Sequence, residues 1–235
     1  MERRPPCAAI LGGETLVGRA LIFDCDGVLI DSEVLSMSEL LRVIQDRKVP
    51  INETQAYDLF LGTSATHEIA CLRDRFGVDI TADLPIYQQR LARRFSTDLQ
   101  PINGIAKALA NLPGPRAVAS SSNPERLRLS LGLTGLWDSF APHVYSATMV
   151  ANGKPAPDLF LLAARQLGVA PGDCIVIEDS PAGIRAARAA GMRVVGFLGG
   201  SHAGPARLAD KLAALQPDAL VEHAENLVDT LTRLG

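Results

Sequence analysis

Four short runs of this 235-residue chain are continuously apolar or β-branched, and each stops at polar residues: Ala20 to Phe23, Ala117 to Ala119, Cys174 to Ile177 and Arg193 to Phe197. A strand with one face in water alternates apolar and polar residues, whereas a strand covered on both faces does not. The runs therefore predict buried parallel strands. Among them lie helical patterns that end in Gly or Pro, at Ile102 to Leu112, Pro124 to Leu131, Pro157 to Leu167 and Ala182 to Ala190. The alternation predicts an α/β fold with a doubly wound parallel sheet as its core.

One stretch breaks the rhythm. From Val34 to about Gln100 no strand candidate appears, while Leu40, Leu41 and Ile44, and later Ile69, Leu72 and Phe76, recur at helical spacing. A stop near Gly77 and a further helix from about Leu84 to Phe95 complete an expected bundle of about four helices. Pro101 and Asn103-Gly104 mark the return to the core. The expected division is an N-terminal extension over 1–19, an α/β core built from 20–33 and 101–235, and a helical insertion over 34–100.

The chain is 47% hydrophobic and 21% charged, which is globular composition. A chain of this length is expected to bury about 70% of its unfolded surface, so its core needs no disulfide or structural metal. The net charge is -3, from 23 basic and 26 acidic residues, with no long run of one sign. That leaves no electrostatic footprint for nucleic acid or an anionic membrane, and a small-molecule partner is expected. Cys7, Cys25, Cys71 and Cys174 are scattered without a CxxC pair, as in reduced cytoplasmic proteins. The apolar stretch after Met1-Glu2-Arg3-Arg4 is short and broken by Gly12, Gly13 and Glu14, so neither signal peptide nor transmembrane span is expected. The expectation is a soluble cytoplasmic protein, a monomer or weak homodimer.

Residues 9 to 20, Ala-Ile-Leu-Gly-Gly-Glu-Thr-Leu-Val-Gly-Arg-Ala, resemble the glycine-rich turn of a dinucleotide-binding unit and raise a competing reading, a nicotinamide-dependent oxidoreductase. Such a turn must be followed by a helix of about ten residues. Here the next strand pattern begins three residues beyond Gly18, so an N-terminal extension or hairpin arm fits better.

The chemistry concentrates at two strand ends. In Ala20-Leu-Ile-Phe-Asp24-Cys-Asp26-Gly an apolar strand ends in two carboxylates two residues apart, which can project to one site at the carboxyl edge of the sheet. In Cys174-Ile-Val-Ile-Glu178-Asp179-Ser180-Pro181 the design repeats, with Ser as a helix N-cap and Pro at the first helical position. Two such acidic ends can share a hard divalent cation such as Mg2+, which also screens an incoming phosphate. Taken alone, Asp24 and Asp26 with a following glycine also fit a capping turn. Between the two ends, Ser120-Ser121-Ser122-Asn123 closes a strand with hydroxyls before a helix, and Gly153-Lys154-Pro155 supplies a fixed positive charge.

In this order, Asp-x-Asp-Gly-Val-x-x-Asp-Ser, the Ser-ended second strand, Gly-Lys-Pro-x-Pro-Asp and Glu-Asp-Ser-x-x-Gly resemble the four motifs of the haloacid dehalogenase superfamily, in the branch with a helical cap after the first motif. The resemblance covers about residues 20 to 222. It implies a Rossmann-like core, with the insertion at 34–100 as a mobile cap. It further implies that Asp24 is the nucleophile that forms an aspartyl-phosphate and Asp26 the acid/base. Ser120 would bind a phosphoryl oxygen, with Ser121, Ser122 and Asn123 in substrate reach, and Lys154 would neutralise charge. Mg2+ would be held by Asp24, the backbone carbonyl of Asp26, and Asp179, with Glu178 bound directly or through water.

Modest readings attach to the neighbours. Asp31 caps the first helix of the insertion or orders the hinge. Cys25 points away into the core, Asp158 supports the Lys154 loop as an N-cap, and the histidines are surface or structural. The resemblance separates the activities too. Dehalogenases of the family lack the second acid and Mg2+, and phosphonoacetaldehyde hydrolases replace that acid with Ala, whereas Asp26 is present here. Sugar phosphomutases similar to β-phosphoglucomutase share all four motifs but commonly carry a His early in the cap, where this chain has Val34-Leu-Ser36-Met-Ser38-Glu. The expectation is a phosphatase of a small phosphorylated metabolite, a sugar or sugar-acid phosphate, with the phosphomutase as alternative. Arg73, Arg75, Arg90, Arg93 and Arg94 are candidates for binding an acidic substrate, or lie on solvated helix faces.

Overall fold

The computed structural model describes residue 16 and residues 18–235. The hairpin arm and most of the glycine-rich turn expected near the N-terminus lie outside the described residues. Within them, the first strand begins at Ala20, two residues after Gly18, which leaves no length for the helix that a dinucleotide turn requires.

Six parallel strands form one sheet in the order β3-β2-β1-β4-β5-β6. They are β1 (Ala20–Phe23), β2 (Arg116–Ser120), β3 (Val144–Ser146), β4 (Cys174–Glu178), β5 (Arg193–Phe197) and β6 (Ala219–Val221). The four apolar runs of the sequence are β1, β2, β4 and β5, buried along all or nearly all their length. β1 lies at the centre, with Phe23 opposite Val118 of β2 on one side and Ile177 of β4 on the other. The chain winds outward from β1 in both directions, and in such sheets ligands bind at the carboxyl ends flanking that reversal. Asp24, Ser120 and Glu178 stand there.

Four helices follow β1 before the chain returns to the core at Pro101, as the spacing predicts: α1 (Glu33–Asp46), α2 (Glu53–Phe60), α3 (Ala65–Phe76) and α4 (Leu84–Asp98). Leu40, Val43 and Ile44 on α1 and Tyr87, Leu91 and Phe95 on α4 are buried at helical spacing, each full burial worth about 1.5–3 kcal/mol. α3 stops at Gly77, whose φ of 68° is the left-handed conformation that a side chain disfavours. The remaining helices are α5 (Ile105–Asn111), α6 (Pro124–Leu133), α7 (Asp158–Leu167), α8 (Pro181–Ala189), α9 (Leu208–Ala213) and α10 (Leu227–Leu234).

The chain leaves and rejoins the sheet side by side. Asp31 N donates to Gln100 O at 2.9 Å, Ile102 N donates to Leu29 O at 2.9 Å, and Ile30 bridges Pro101 in antiparallel sense. Two capping expectations are corrected here. The cap position of α1 is Ser32, not Asp31. The Asp31 carboxylate instead accepts from Ser201 N at 3.0 Å and Ser201 Oγ at 2.9 Å, which ties the start of the insertion to the loop after β5. Asp158 is the first residue of α7 rather than its cap, and supports the Lys154 loop by accepting from Asn152 Nδ2 at 3.0 Å.

Candidate active site

Asp24 directly follows β1, and its N–H donates to Ile177 O at 2.9 Å, extending the ladder with β4 by one bond. Beyond it the chain turns tightly, with Gly27 N donating to Ile30 O at 2.8 Å and Ile30 N to Cys25 O at 3.1 Å. Gly27 has φ +79°, and a Cβ there would lie 1.9 Å from Asp179 Oδ2, so only glycine fits. Cys25 is fully buried, as alternation predicts, and burial pushes its thiol well above the ordinary range.

Lys154 joins the two acidic strand ends. Its Nζ donates to Asp24 Oδ1 at 2.5 Å and to Glu178 Oε1 at 2.6 Å, with side-chain exposures of 2%, 9% and 1% for Lys154, Asp24 and Glu178. Burial alone would lower the lysine, but the charges of Asp24 and Glu178 outweigh it and hold the ammonium protonated. Burial raises Asp24 well above the carboxylate range, the Lys154 charge offsetting it only in part while Glu178, Asp179 and Asp26 reinforce it. The other oxygen of Glu178 accepts from Ser180 N at 2.8 Å and Ser180 Oγ at 2.9 Å. Ser180 Oγ in turn caps α8 by accepting from Gly183 N at 3.0 Å.

Asp26 is held from four directions. Its Oδ1 accepts from Ser32 Oγ at 2.5 Å and Arg126 Nη2 at 2.7 Å; its Oδ2 accepts from Ser122 Oγ at 2.7 Å and, more weakly, from Ser120 Oγ at 3.5 Å. Burial would raise Asp26, but the Arg126 charge and the Ser32 and Ser122 hydrogen bonds more than offset it, so its carboxyl is lowered. Arg126 also donates to Ser36 Oγ on α1 at 2.9 Å and lies 5.1 Å from the centre of the Phe95 ring on α4, linking the acid to the insertion. Ser120 Oγ accepts from Ser122 N at 3.1 Å. Ser121 lines the pocket, but the side-chain oxygen of Asn123 is committed to capping α6, accepting from Arg126 N at 2.8 Å.

Asp179 meets His202. His202 Nε2 and Asp179 Oδ2 are 2.9 Å apart but not aligned for a hydrogen bond, so both buried atoms lack a partner. Burial lowers the imidazole, which keeps it neutral, and burial together with the Glu178 charge raises Asp179. His202 is a buried histidine, within the expected surface or structural set, and it packs against a candidate metal ligand. Sequence reasoning passed over Arg126, Ser32 and Ser36. Glu33, the first residue of α1, lines the pocket as well, and burial with the nearby Asp26 charge pushes it up to about 8.

The residues fit a hard cation. Asp179 Oδ2 is a buried carboxylate oxygen without a donor, and all the acids supply oxygen, the ligand Mg2+ prefers. Among the described residues no three His, Cys, Asp or Glu side chains cluster as a ready cage. Mg2+ does not require one, because it commonly takes one or two carboxylates and completes its shell with other oxygens.

A small pocket of about 50 Å3 lies against Asp24, Lys154 and Glu178. It shares Thr63, Glu68, Tyr87 and Arg126 with a larger cleft of about 630 Å3 between α3, α4 and α6. The loop before α3 closes over the small pocket so tightly that a Cβ on Gly62 would lie 2.6 Å from Ser180 Cβ. None of Arg73, Arg75, Arg90, Arg93 and Arg94 lines either cavity. Arg73 pairs instead with Asp79, and Arg94 with Asp98 and Glu39.

The sequence pattern of the family described as haloacid dehalogenase-like hydrolase matches residues 19–191. A 6-phosphogluconate phosphatase of Escherichia coli is 28% identical over 188 residues, spanning 79% of this chain and 85% of that protein. A β-phosphoglucomutase of Bacillus subtilis is 30% identical over 192 residues, spanning 76% and 82%. A conserved haloacid dehalogenase-like protein of Agrobacterium tumefaciens superposes with a TM-score of 0.79 at 34% identity, covering 92% of this chain and 98% of that one.

Proposed function

The chain belongs to the haloacid dehalogenase-like hydrolases, and on that premise we propose that it is a Mg2+-dependent phosphohydrolase of small phosphorylated sugars or sugar acids, with residues 34–100 serving as its cap. The observation that carries the reading is the pair of carboxylates Asp24 and Asp26, placed two residues apart and given opposite environments. Asp24 rests against Lys154, and Asp26 against hydroxyls and Arg126.

In this reading an Asp24 oxygen attacks phosphorus, the bond from phosphorus to the leaving oxygen breaks, and Asp26 delivers a proton to that oxygen. Asp26 then takes a proton from the water that attacks the aspartyl-phosphate, releasing phosphate and restoring Asp24. The low-lying carboxyl of Asp26 suits this second, accepting role. The first requires that it take up a proton before the leaving oxygen departs. Ser120 donates to a phosphoryl oxygen, with Ser121 and Ser122 alongside, and Lys154 keeps positive charge beside the attacking oxygen. Asp24, the backbone carbonyl of Asp26, and Asp179 would hold Mg2+, with Glu178 reaching it directly or through water. When bound, the ion would neutralise the charge gathered on the transferring group.

The test is phosphate release from a panel of phosphate esters, an aryl phosphate included, with and without Mg2+. Turnover of sugar phosphates that disappears on chelation is expected; absence of release from every ester overturns the reading. The similarity to a β-phosphoglucomutase carries the second reading. Phosphorus NMR with a hexose 1-phosphate separates the two, because a mutase accumulates the 6-isomer faster than free phosphate.

A further inference from the structure

The cleft of about 630 Å3 is the room left for whatever carries the phosphate. Three groups at its junction with the small pocket have hydrogen-bonding capacity that the protein does not use. The Glu68 carboxylate on α3 and the Tyr87 hydroxyl on α4 make no hydrogen bond with any described residue, and Arg126 Nε on α6 is buried without a partner. A carboxylate only accepts, a guanidinium only donates and a phenol does both. A chain of hydroxyls, each donating once and accepting, satisfies all three.

Charge decides between a neutral and an anionic occupant. Among the described residues lining the cleft, Glu68 and Glu125 are acidic and Arg126 is the sole Lys or Arg, already paired with Asp26 at 2.7 Å. The arginines of the insertion that the sequence offered as counter-charges line neither cavity. A carboxylate or second phosphate on the leaving group would therefore be desolvated facing two acids with no free cation, an uncompensated burial that is strongly unfavourable. Burial raises Glu68 itself to about 7, in the same direction.

We infer that the leaving group is a neutral polyhydroxylated molecule, a sugar or polyol whose hydroxyls are read by Glu68, Tyr87 and Arg126, and that esters of sugar acids and bisphosphates are disfavoured. The inference rests on the phosphohydrolase reading and narrows it.

The experiment compares kcat/KM for a hexose or hexitol phosphate, the matching aldonate phosphate and an aryl phosphate, all with Mg2+. The neutral ester is expected to exceed the aldonate at least about tenfold. In Glu68→Gln the ratio of polyol to aryl turnover is expected to fall about tenfold, the effect of weakening one hydrogen bond to a charged acceptor, and the preference over the aldonate is expected to shrink. Tyr87→Phe, which removes only an oxygen, should lower the polyol-to-aryl ratio as well and serves if the first variant does not fold. Preference for the aldonate, or ratios in both variants within twofold of the parent, overturns the inference while leaving the phosphohydrolase reading intact. No release from any ester, the aryl phosphate included, overturns both.

Discussion

Lys154 Nζ donates to Asp24 Oδ1 at 2.5 Å, joining residues 130 positions apart in the chain. The same ammonium reaches Glu178, so one buried cation neutralises the ends of two paired strands. Removing one partner of a buried ion pair typically costs about 3–5 kcal/mol, because the remaining charge has no solvent to turn to. Lys154→Met should therefore lower the unfolding free energy read from urea titration by that amount at neutral pH, with a lower midpoint, and abolish phosphate release. An unchanged midpoint would show that the carboxylates do not depend on the lysine.

Asp24→Asn keeps the shape of the nucleophile and replaces the oxygen that attacks with an amide. Phosphate release from every ester should fall at least about a thousandfold, because an amide oxygen cannot form the acyl-phosphate. The circular dichroism spectrum should stay native. Turnover within tenfold of the parent would remove Asp24 from the role of nucleophile.

Gly183 lies in the first turn of α8, where a Cβ would sit 1.8 Å from the Glu178 carboxyl. Gly183→Ala is sterically compatible with the helix itself, so its whole effect must pass through Glu178. Overpacking of this kind costs about 1–3 kcal/mol. Displacement of Glu178 should weaken Mg2+ binding as read by titration calorimetry, with helical content retained. Parent-like Mg2+ affinity would show that Glu178 has no part in holding the ion.

Glu68 gives the stability of the metal-free protein a pH dependence of known sign. Burial raises its folded value to about 7, above the 4.5 of a free side chain, so between these values the folded state binds more protons than the unfolded one. This contribution is present at low pH and is lost as pH rises through about 7. Glu68→Gln mimics the neutral form. Its melting temperature should match the parent near pH 4.5 and exceed it at pH 8; a constant difference across that range would refute the assignment.

The parts of the fold legible in the sequence were those with two covered faces. β1, β2, β4 and β5 lie in or next to the centre of the sheet, and their unbroken apolar runs follow from that position. β3 and β6 are three-residue edge strands, too short to carry a period. Within the site, Asp24, Ser120, Glu178 and Asp179 stood out because each ends or directly follows a strand, where an acid or hydroxyl interrupts an apolar pattern, and Asp26 stood out as the second acid, two residues beyond Asp24. Arg126 gave no such signal: it sits in the first turn of α6, where an arginine usually marks a solvated face. His202 lies in a loop that periodicity does not reach, and only the folding of that loop back over Gly27 brings it to Asp179.

The side-by-side departure and return of the chain at Leu29–Asp31 and Gln100–Ile102 bears on how such an enzyme changes its diet. Because the two connections are hydrogen-bonded to each other, the 34–100 segment can be shortened, rebuilt or exchanged without lengthening any link in the sheet. On the proposed function, the phosphate-cleaving residues lie in the sheet module, while Glu68 and Tyr87, proposed to read the leaving group, lie in the insertion. Recombination at these two crossing points would transplant selectivity while leaving the phosphate-cleaving apparatus in place.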